Sequence, residues 1–471
     1  MISRKRSRLV ISLVIALMSS CAAAVNFSDA AQAKSATWEI PSSQFAHDTA
    51  GFATPFSTTP GTSINLYITC NSPTFNLTVY RMGYYDGAGA QLALTTPEQP
   101  CLHQDKKIAD AKTNFVAEDW KVTTVLATDS LTPGMYLARI NASNGYQSFI
   151  PFVLKDKDVV GRVVVSIPFQ TSLSYNAYTG ASAYGEKGDF EKRARVLSFN
   201  TPFSEGYGAG IYYFYVQPLV KLIDQLHLDP SFVTDVDISQ NPQIISGAKV
   251  LVSGGHDEYW TLQERDAVMN ERSKGMNLLF FGANVEYWRV RLHQGSQLND
   301  LEMDIYKSQS EDQNTAEPTI KFRDQKLPES ELTYQDYNCF PAHGDFQVSN
   351  PGAFIFDGTG VKRGDRYPGM MGPEVDHSLA TDTFTGTRSI LNTSIITCGT
   401  SLLPKPTSST IVYGAIAGAG GTVSIGDMNW VERGLTTDVP KRTFAFTAQV
   451  TTNILEAAAK GPMGLQDLKT S

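Results

Sequence analysis

The sequence predicts two parts of different class, an all-β segment followed by an α/β segment. Three observations carry this. Between Ala36 and Lys157 five short β-rich runs recur, TSINLYITC, FNLTVYRMGYY, DWKVTTVLA, GMYLARINA and QSFIPFVLK, divided by Pro60-Gly61, Asp86-Gly87 and Pro133-Gly134. After Lys157, strand-like apolar runs alternate with amphipathic helical stretches. At 471 residues, with 42% hydrophobic and 18% charged residues, the chain is globular in composition and long enough for two cores.

The chain opens on a targeting signal. Arg4, Lys5, Arg6 and Arg8 precede the apolar run LVISLVIALM, which is too short to span a bilayer comfortably. Residues 1–33 therefore read as a secretory signal peptide, with Ala31-Gln32-Ala33 as an A-x-A cleavage site and a mature start near Lys34. The alternative is a lipobox, Met18-Ser19-Ser20-Cys21, placing a lipid anchor on Cys21; methionine at its first position weakens that reading. Either way the expected location is secreted or cell-envelope. No later stretch is long and apolar enough to be a transmembrane segment.

Over residues 36–157, strands at this spacing without helical periodicity predict an immunoglobulin-like β-sandwich. RMGYYDGAG reads as a packed turn at the junction with the second part. Over residues 160–465 the pattern is that of an amidotransferase- or flavodoxin-like α/β domain on a parallel sheet. GRVVVSIPF is a near-continuous apolar run, as a strand covered on both faces requires. PLVKLIDQLHLD puts Leu219, Leu222, Ile223 and Leu226 on one helical stripe behind Pro218. FVTDVDI and AKVLVSGGH follow as strands. The helix TLQERDAVMNERSKG comes next, with Thr261 and Glu264 as a capping box and Gly275 as its stop. NLLFFGAN is the next strand, so strand and helix alternate. LNDLEMDIYKSQSEDQ reads as helix or loop, and a strand-rich insertion leads to STIVYGAIAG, GGTVSIGDMNW and a closing helix FTAQVTTNILEAAAK.

Cys70, Cys101, Cys339 and Cys398 remain once Cys21 is removed or lipidated. An even count in an exported chain favours disulfides, and sequence separation suggests Cys70–Cys101 and Cys339–Cys398. The other reading is four unpaired buried thiols. No C-x-x-C pair is present, which disfavours a cysteine zinc site.

The net charge of −8 offers no basic face to nucleic acid. The chain has no G-x-S-x-G elbow, no phosphate-binding loop and no dinucleotide fingerprint. Ser253 follows a strand but lacks the helix-opening context of a nucleophile. Ala417 to Gly421, A-G-A-G-G, lies between two strands and reads as a turn. Sites in open α/β sheets form beyond the carboxyl ends of strands, which brings His256, Glu258 and Asn284 to one rim. Glu258 and the tyrosines of TSLSYNAYTGASAY (Tyr175, Tyr178 and Tyr184) are the oxygen donors a hard ferric ion prefers. By spacing alone, a solvated acidic loop and packed tyrosines explain these residues at least as well.

GGHDEYW, FFGANVEYW, SLSYNAYTGASAY and MMGPEVD together resemble the large (beta) subunit of N,N-dimethylformamidase, most strongly from about Arg162 to Trp288. The resemblance implies amide C–N hydrolysis of a small-molecule amide at one non-haem ferric iron. It implies Tyr175, Tyr184 and Glu258 as metal ligands, with Tyr178 the alternative second tyrosine because the loop is shorter than the family's. It implies His256, Asn284 and Glu374 as catalytic residues, Asn284 as a donor to the substrate oxygen. Asp257 stands where the family pattern has proline. A homo-oligomer is compatible with the sequence, and no small subunit is visible in it. The competing class is a cell-envelope binding protein that keeps these motifs for packing, with polysaccharide or protein as ligand. A glycoside hydrolase needs two carboxylates across a cleft, which Glu258 and Glu374 could supply, but nothing selects sugar.

Overall fold

A computed structural model describes residues 38–107, 110, 114–186, 188–295, 300–400 and 402–471. The expected signal peptide and cleavage site, and Cys21, lie outside the described residues. The chain is mixed α/β and mostly strand, with many strands in several sheets and few helices.

In the N-terminal part, Ala50–Thr54, Ile64–Thr69 and Thr124–Leu126 form one antiparallel sheet. A second, mainly antiparallel sheet is built on Thr74–Met82, Gly134–Ala142 and Gln147–Leu154. Ile64–Thr69 and Thr74–Met82 alternate buried and half-buried residues, the period of a strand with one face inward. Their inward residues (Ile64, Leu66, Ile68, Leu77 and Val79) meet Ala138, Ile150 and Phe152 in one apolar core. Cys70 and Cys101 are disulfide-bonded there.

The second part centres on a nine-stranded sheet. Its parallel half runs Ser231–Thr234, Val163–Ile167, Val250–His256, Asn277–Ala283 and Gly421–Ser424. Antiparallel strands Lys405–Ala415, Thr387–Cys398, Ala342–Gln347 and Arg366–Met371 extend it. Every residue of Val163–Ile167, Val250–His256 and Asn277–Ala283 is buried, which explains why those runs read as unbroken apolar segments. The helix Gln217–Gln225 turns Leu219, Val220, Leu222 and Ile223 inward. The closing helix Lys441–Ala459 does so with Phe446, Val450 and Ile454. Cys339 and Cys398 form the second disulfide.

Three local expectations are corrected. FVTDVDI is a strand only to Thr234. There the Thr234 hydroxyl accepts from Asp237 N, and Asp237 answers in a capping box that starts the helix Asp235–Gln240. Thr261 caps the helix Leu262–Ser273 through Glu264 N, but the Glu264 carboxylate turns inward to accept from Gln170 Nε2 at 2.8 Å. Leu301–Asp304, expected as helix or loop, is a strand between Trp288–Gln294 and Val196–Ser198.

The tyrosine-rich turn packs across the junction. Tyr84 N donates to Asp224 at 2.6 Å and Lys221 Nζ to Gly87 O at 2.7 Å. One apolar core runs through both parts, joining Tyr80, Met82 and Phe149 to Val165, Phe169 and Phe232.

Candidate active site

Side chains from five places, one of them the loop that carries Tyr184, meet beyond the carboxyl ends of the parallel strands. Val163–Ile167 leads into the short helix Phe169–Tyr175, which presents Tyr175 at its last position. Val250–His256 ends on His256 and turns into Glu258. Asn277–Ala283 delivers Asn284 as the next residue. Glu374 comes from the insertion, just before the strand Val375–His377.

Backbone contacts fix these ends. Thr171 Oγ1 accepts from Glu258 N and Tyr259 N at 3.1 and 3.3 Å, tying the Glu258 turn to the Tyr175 helix. Tyr287 N and Trp288 N both donate to Glu258 O at 2.9 Å. Two glycines allow close approach, Gly255 to the helix Tyr212–Tyr215 and Gly282 to the neighbouring strand. A Cβ on Gly255, whose φ is +66°, would lie 2.2 Å from Tyr215 Cβ, and one on Gly282 would lie 1.5 Å from Gly255 O. Ser253 is buried and donates to Asp257 at 2.8 Å, so its hydroxyl is engaged away from any nucleophilic role.

The tyrosines and Glu258 converge. Tyr175 OH donates to Glu258 Oε2 and Tyr184 OH to Glu258 Oε1, each at 2.6 Å, and the two phenol oxygens are 3.3 Å apart. His256 Nε2 is 2.8 Å from Tyr175 OH and 3.3 Å from Glu258 Oε2, and its Nδ1 is 3.9 Å from Glu374 Oε2. Glu374 Oε2 accepts from Asn284 Nδ2 at 2.8 Å. All six residues implied by the family resemblance therefore lie in one connected cluster. Tyr178 does not join it. Its ring packs with Phe52 and Trp120 in the N-terminal part, under Lys106 Nζ at 3.9 Å from the ring centroid.

Charge in this cluster is finely opposed. Burial, then the charge of Glu258, raises the Tyr175 and Tyr184 phenols well above 10. Burial would raise Glu258 too, but its hydrogen bond to His256 and that residue's charge hold it below the usual carboxylate range. Burial works against the charged form of His256, yet Glu374 and Glu258 raise it to about 9. Burial pushes Glu374 up to about 7 against the pull of His256.

Three further residues belong to the cluster and were not found from sequence. Asp376 accepts from Asn284 N with both oxygens, at 2.9 and 3.0 Å. Its signal was available: it stands two residues beyond Glu374 on a strand, hence on the same face. Lys307 is buried with Nζ 3.5 Å from the Tyr184 ring centroid, and donates to Tyr259 OH at 2.6 Å. Tyr259 was visible inside HDEYW; nothing in the acidic segment around Lys307 marked it.

The donor set suits a hard cation. Two phenol oxygens and a carboxylate are oxygen ligands of the kind ferric iron takes, and two phenolates with one carboxylate balance its charge. Separations of about 3 Å are those of neighbouring donors around one small ion held at about 2 Å. Among the described residues no three His, Cys, Asp or Glu side chains are placed to hold a metal ion, so a metal in this cluster would have to draw on the phenols.

A family model described as "N,N-dimethylformamidase beta subunit-like, C-terminal" matches residues 76–439. No curated protein matches the chain. Among solved structures, a Paenibacillus sp. cycloisomaltooligosaccharide glucanotransferase complexed with cycloisomaltoheptaose aligns at 11% identity and a TM-score of 0.16. That alignment covers 27% of this chain and 17% of the other, and at this score the likeness carries no argument.

Proposed function

Because the chain belongs to the N,N-dimethylformamidase beta subunit-like, C-terminal family, we propose that it hydrolyses a C–N amide bond of a small molecule at a mononuclear ferric site. The observation that carries this is the convergence of the Tyr175 and Tyr184 hydroxyls on Glu258. These three residues would hold the ion. Bound there, it would supply Lewis acidity toward an amide carbonyl.

The remaining residues move protons and hold one another in place. Glu374, raised to about 7, is poised to take a proton from the attacking water and return it to the leaving nitrogen. Water's oxygen forms the new C–O bond, the C–N bond breaks, and acid and amine leave. Asn284 Nδ2 fixes the Glu374 carboxylate. His256 bridges the two halves, touching Tyr175 and Glu258 on one side and facing Glu374 on the other. Glu374→Gln tests the assignment. It should lower kcat for amine release about 100-fold or more while iron content stays at the wild-type level. Unchanged kcat would remove Glu374 from the mechanism.

We further infer an oxidising compartment, secreted or cell-envelope, supported by the leader-like N-terminal sequence and by two disulfides among the described residues. No helix among those residues is long and apolar enough to cross a membrane. Residues 36–157 and 160–465 are proposed as the two domains. The strand order of the parallel half, second-first-third-fourth-fifth, supports the flavodoxin-like assignment. The shared core of the two N-terminal sheets supports the immunoglobulin-like one.

A further inference from the structure

A buried amine sits against one of the two phenols. Lys307 Nζ lies 3.5 Å from the centroid of the Tyr184 ring and 4.9 Å from those of Tyr259 and Trp288. Lys307 is buried, and among the described residues its amine makes one hydrogen bond, to Tyr259 OH at 2.6 Å. Glu258 acts on it through charge, without an ion-pair contact. The buried Tyr259 hydroxyl hydrogen-bonds onward to Tyr184. The backbone is fixed as well. Lys307 has a left-handed φ of 56°, and its N–H donates to Thr319 O at 2.9 Å. A non-glycine residue persists in that conformation only where its surroundings hold it, and such residues cluster at functional sites. The two phenols thus have different neighbours. Tyr175 OH has His256 Nε2 at 2.8 Å. Tyr184 has Tyr259 at its hydroxyl and the Lys307 amine over its ring. A buried cation without a counter-charge is costly. An anionic phenolate at Tyr184 provides that charge, and Tyr259 gives the phenolate a hydrogen bond.

We propose that Lys307 and Tyr259 are positioning residues for the metal centre, which hold Tyr184 as an anionic ligand and set how strongly it donates to the iron. The assignment rests on the iron site proposed above and adds to it two partners that touch a ligand rather than the ion. Partners of this kind orient the ligand and tune the metal's affinity. A hydrogen-bond donor and a positive charge beside a phenolate also stabilise its electrons. Visible light absorbed by an iron–phenolate complex moves an electron from phenolate to iron, so removing either partner lowers the energy of that transition.

The test uses the full chain reconstituted with ferric iron, as wild type, Tyr259→Phe, Lys307→Met and, for comparison, Tyr178→Phe. Each replacement keeps the shape of the side chain. Visible absorption gives the position of the band, and competition with the chelator nitrilotriacetate gives the iron affinity. Tyr259→Phe and Lys307→Met should each move the band to longer wavelength and weaken iron binding about 10-fold or more. Tyr178→Phe should match wild type in both. Circular dichroism checks that each variant is folded. Should a single variant fail to fold, the double variant Tyr259→Phe/Lys307→Met, which buries no unpaired polar group at this position, takes its place. Folded variants with wild-type iron affinity and a band that is unmoved, or moved to shorter wavelength, would overturn the proposal and leave the iron site standing. A band at longer wavelength with wild-type affinity would uphold the tuning and overturn the holding role. A wild-type protein that takes up no iron would overturn the iron site and this assignment together.

Discussion

Tyr184 and Tyr178 lie six residues apart on one loop, and only their surroundings separate them. The Tyr184 hydroxyl is 2.6 Å from Glu258, whereas Tyr178 is packed with Phe52 and Trp120 and its buried hydroxyl has no partner among the described residues. Tyr184→Phe should therefore cut bound iron sharply, while Tyr178→Phe should keep the wild-type iron content and lose no more than about 1 kcal/mol of stability. Metal analysis of the two purified variants checks this, and a Tyr178→Phe protein stripped of iron would reverse the assignment. Residue types alone could not have chosen between these tyrosines, because nothing in SYNAYTGASAY tells which ring turns toward Glu258. The motif HDEYW was legible only through its resemblance to a family. Lys307 was not legible at all, since its role comes from burial beside Tyr184 and Tyr259 rather than from any local pattern.

The element that shapes the site most is the short strand Val375–His377 with the residue before it. Glu374 and Asp376 lie on one face and grip Asn284 by its side chain and its backbone. Asp376→Ala leaves the Asn284 N–H without its carboxylate and should cost about 1–3 kcal/mol. Asp376→Asn keeps an acceptor and should cost less. Burial, opposed by the Asn284 N–H and by Arg323 and reinforced by Glu329 and Glu374, pushes the Asp376 carboxyl from 3.8 up to about 8. The native state then binds this proton more tightly than the unfolded chain does. The stability it contributes is full below the ordinary carboxylate range and is lost as pH rises through about 8. Asp376→Asn should flatten that part of the stability-versus-pH curve in chemical denaturation. A slope identical to wild type would contradict the shift. Strands of this kind were the easiest elements to read. GMYLARINA and NLLFFGAN carry period or apolarity strong enough to survive any context. FVTDVDI misled because a capping threonine ended the strand in the middle of a β-like run. LEMD misled because a short strand held between neighbours at Leu292 and Leu197 needs little apolar pattern of its own.

At the scale of the whole molecule, the sequence divided the chain where its pattern changes, near Lys157. What it could not convey is that the two parts share an apolar core, because contacts such as Phe149 and Met82 against residues beyond Val163 join positions far apart in the chain. The fold brings the Tyr175 helix, the Glu258 turn, the Asn284 turn and the Glu374 strand to one rim, and the account depends on those phenols and that carboxylate closing on one ion. Iron content and visible absorption of the freshly purified, iron-reconstituted protein test this most directly. The account predicts about one iron per chain, held in a coloured iron–phenolate complex, and loss of both in a folded Tyr175→Phe variant. A folded wild-type protein that stays colourless and retains no iron after reconstitution would contradict it.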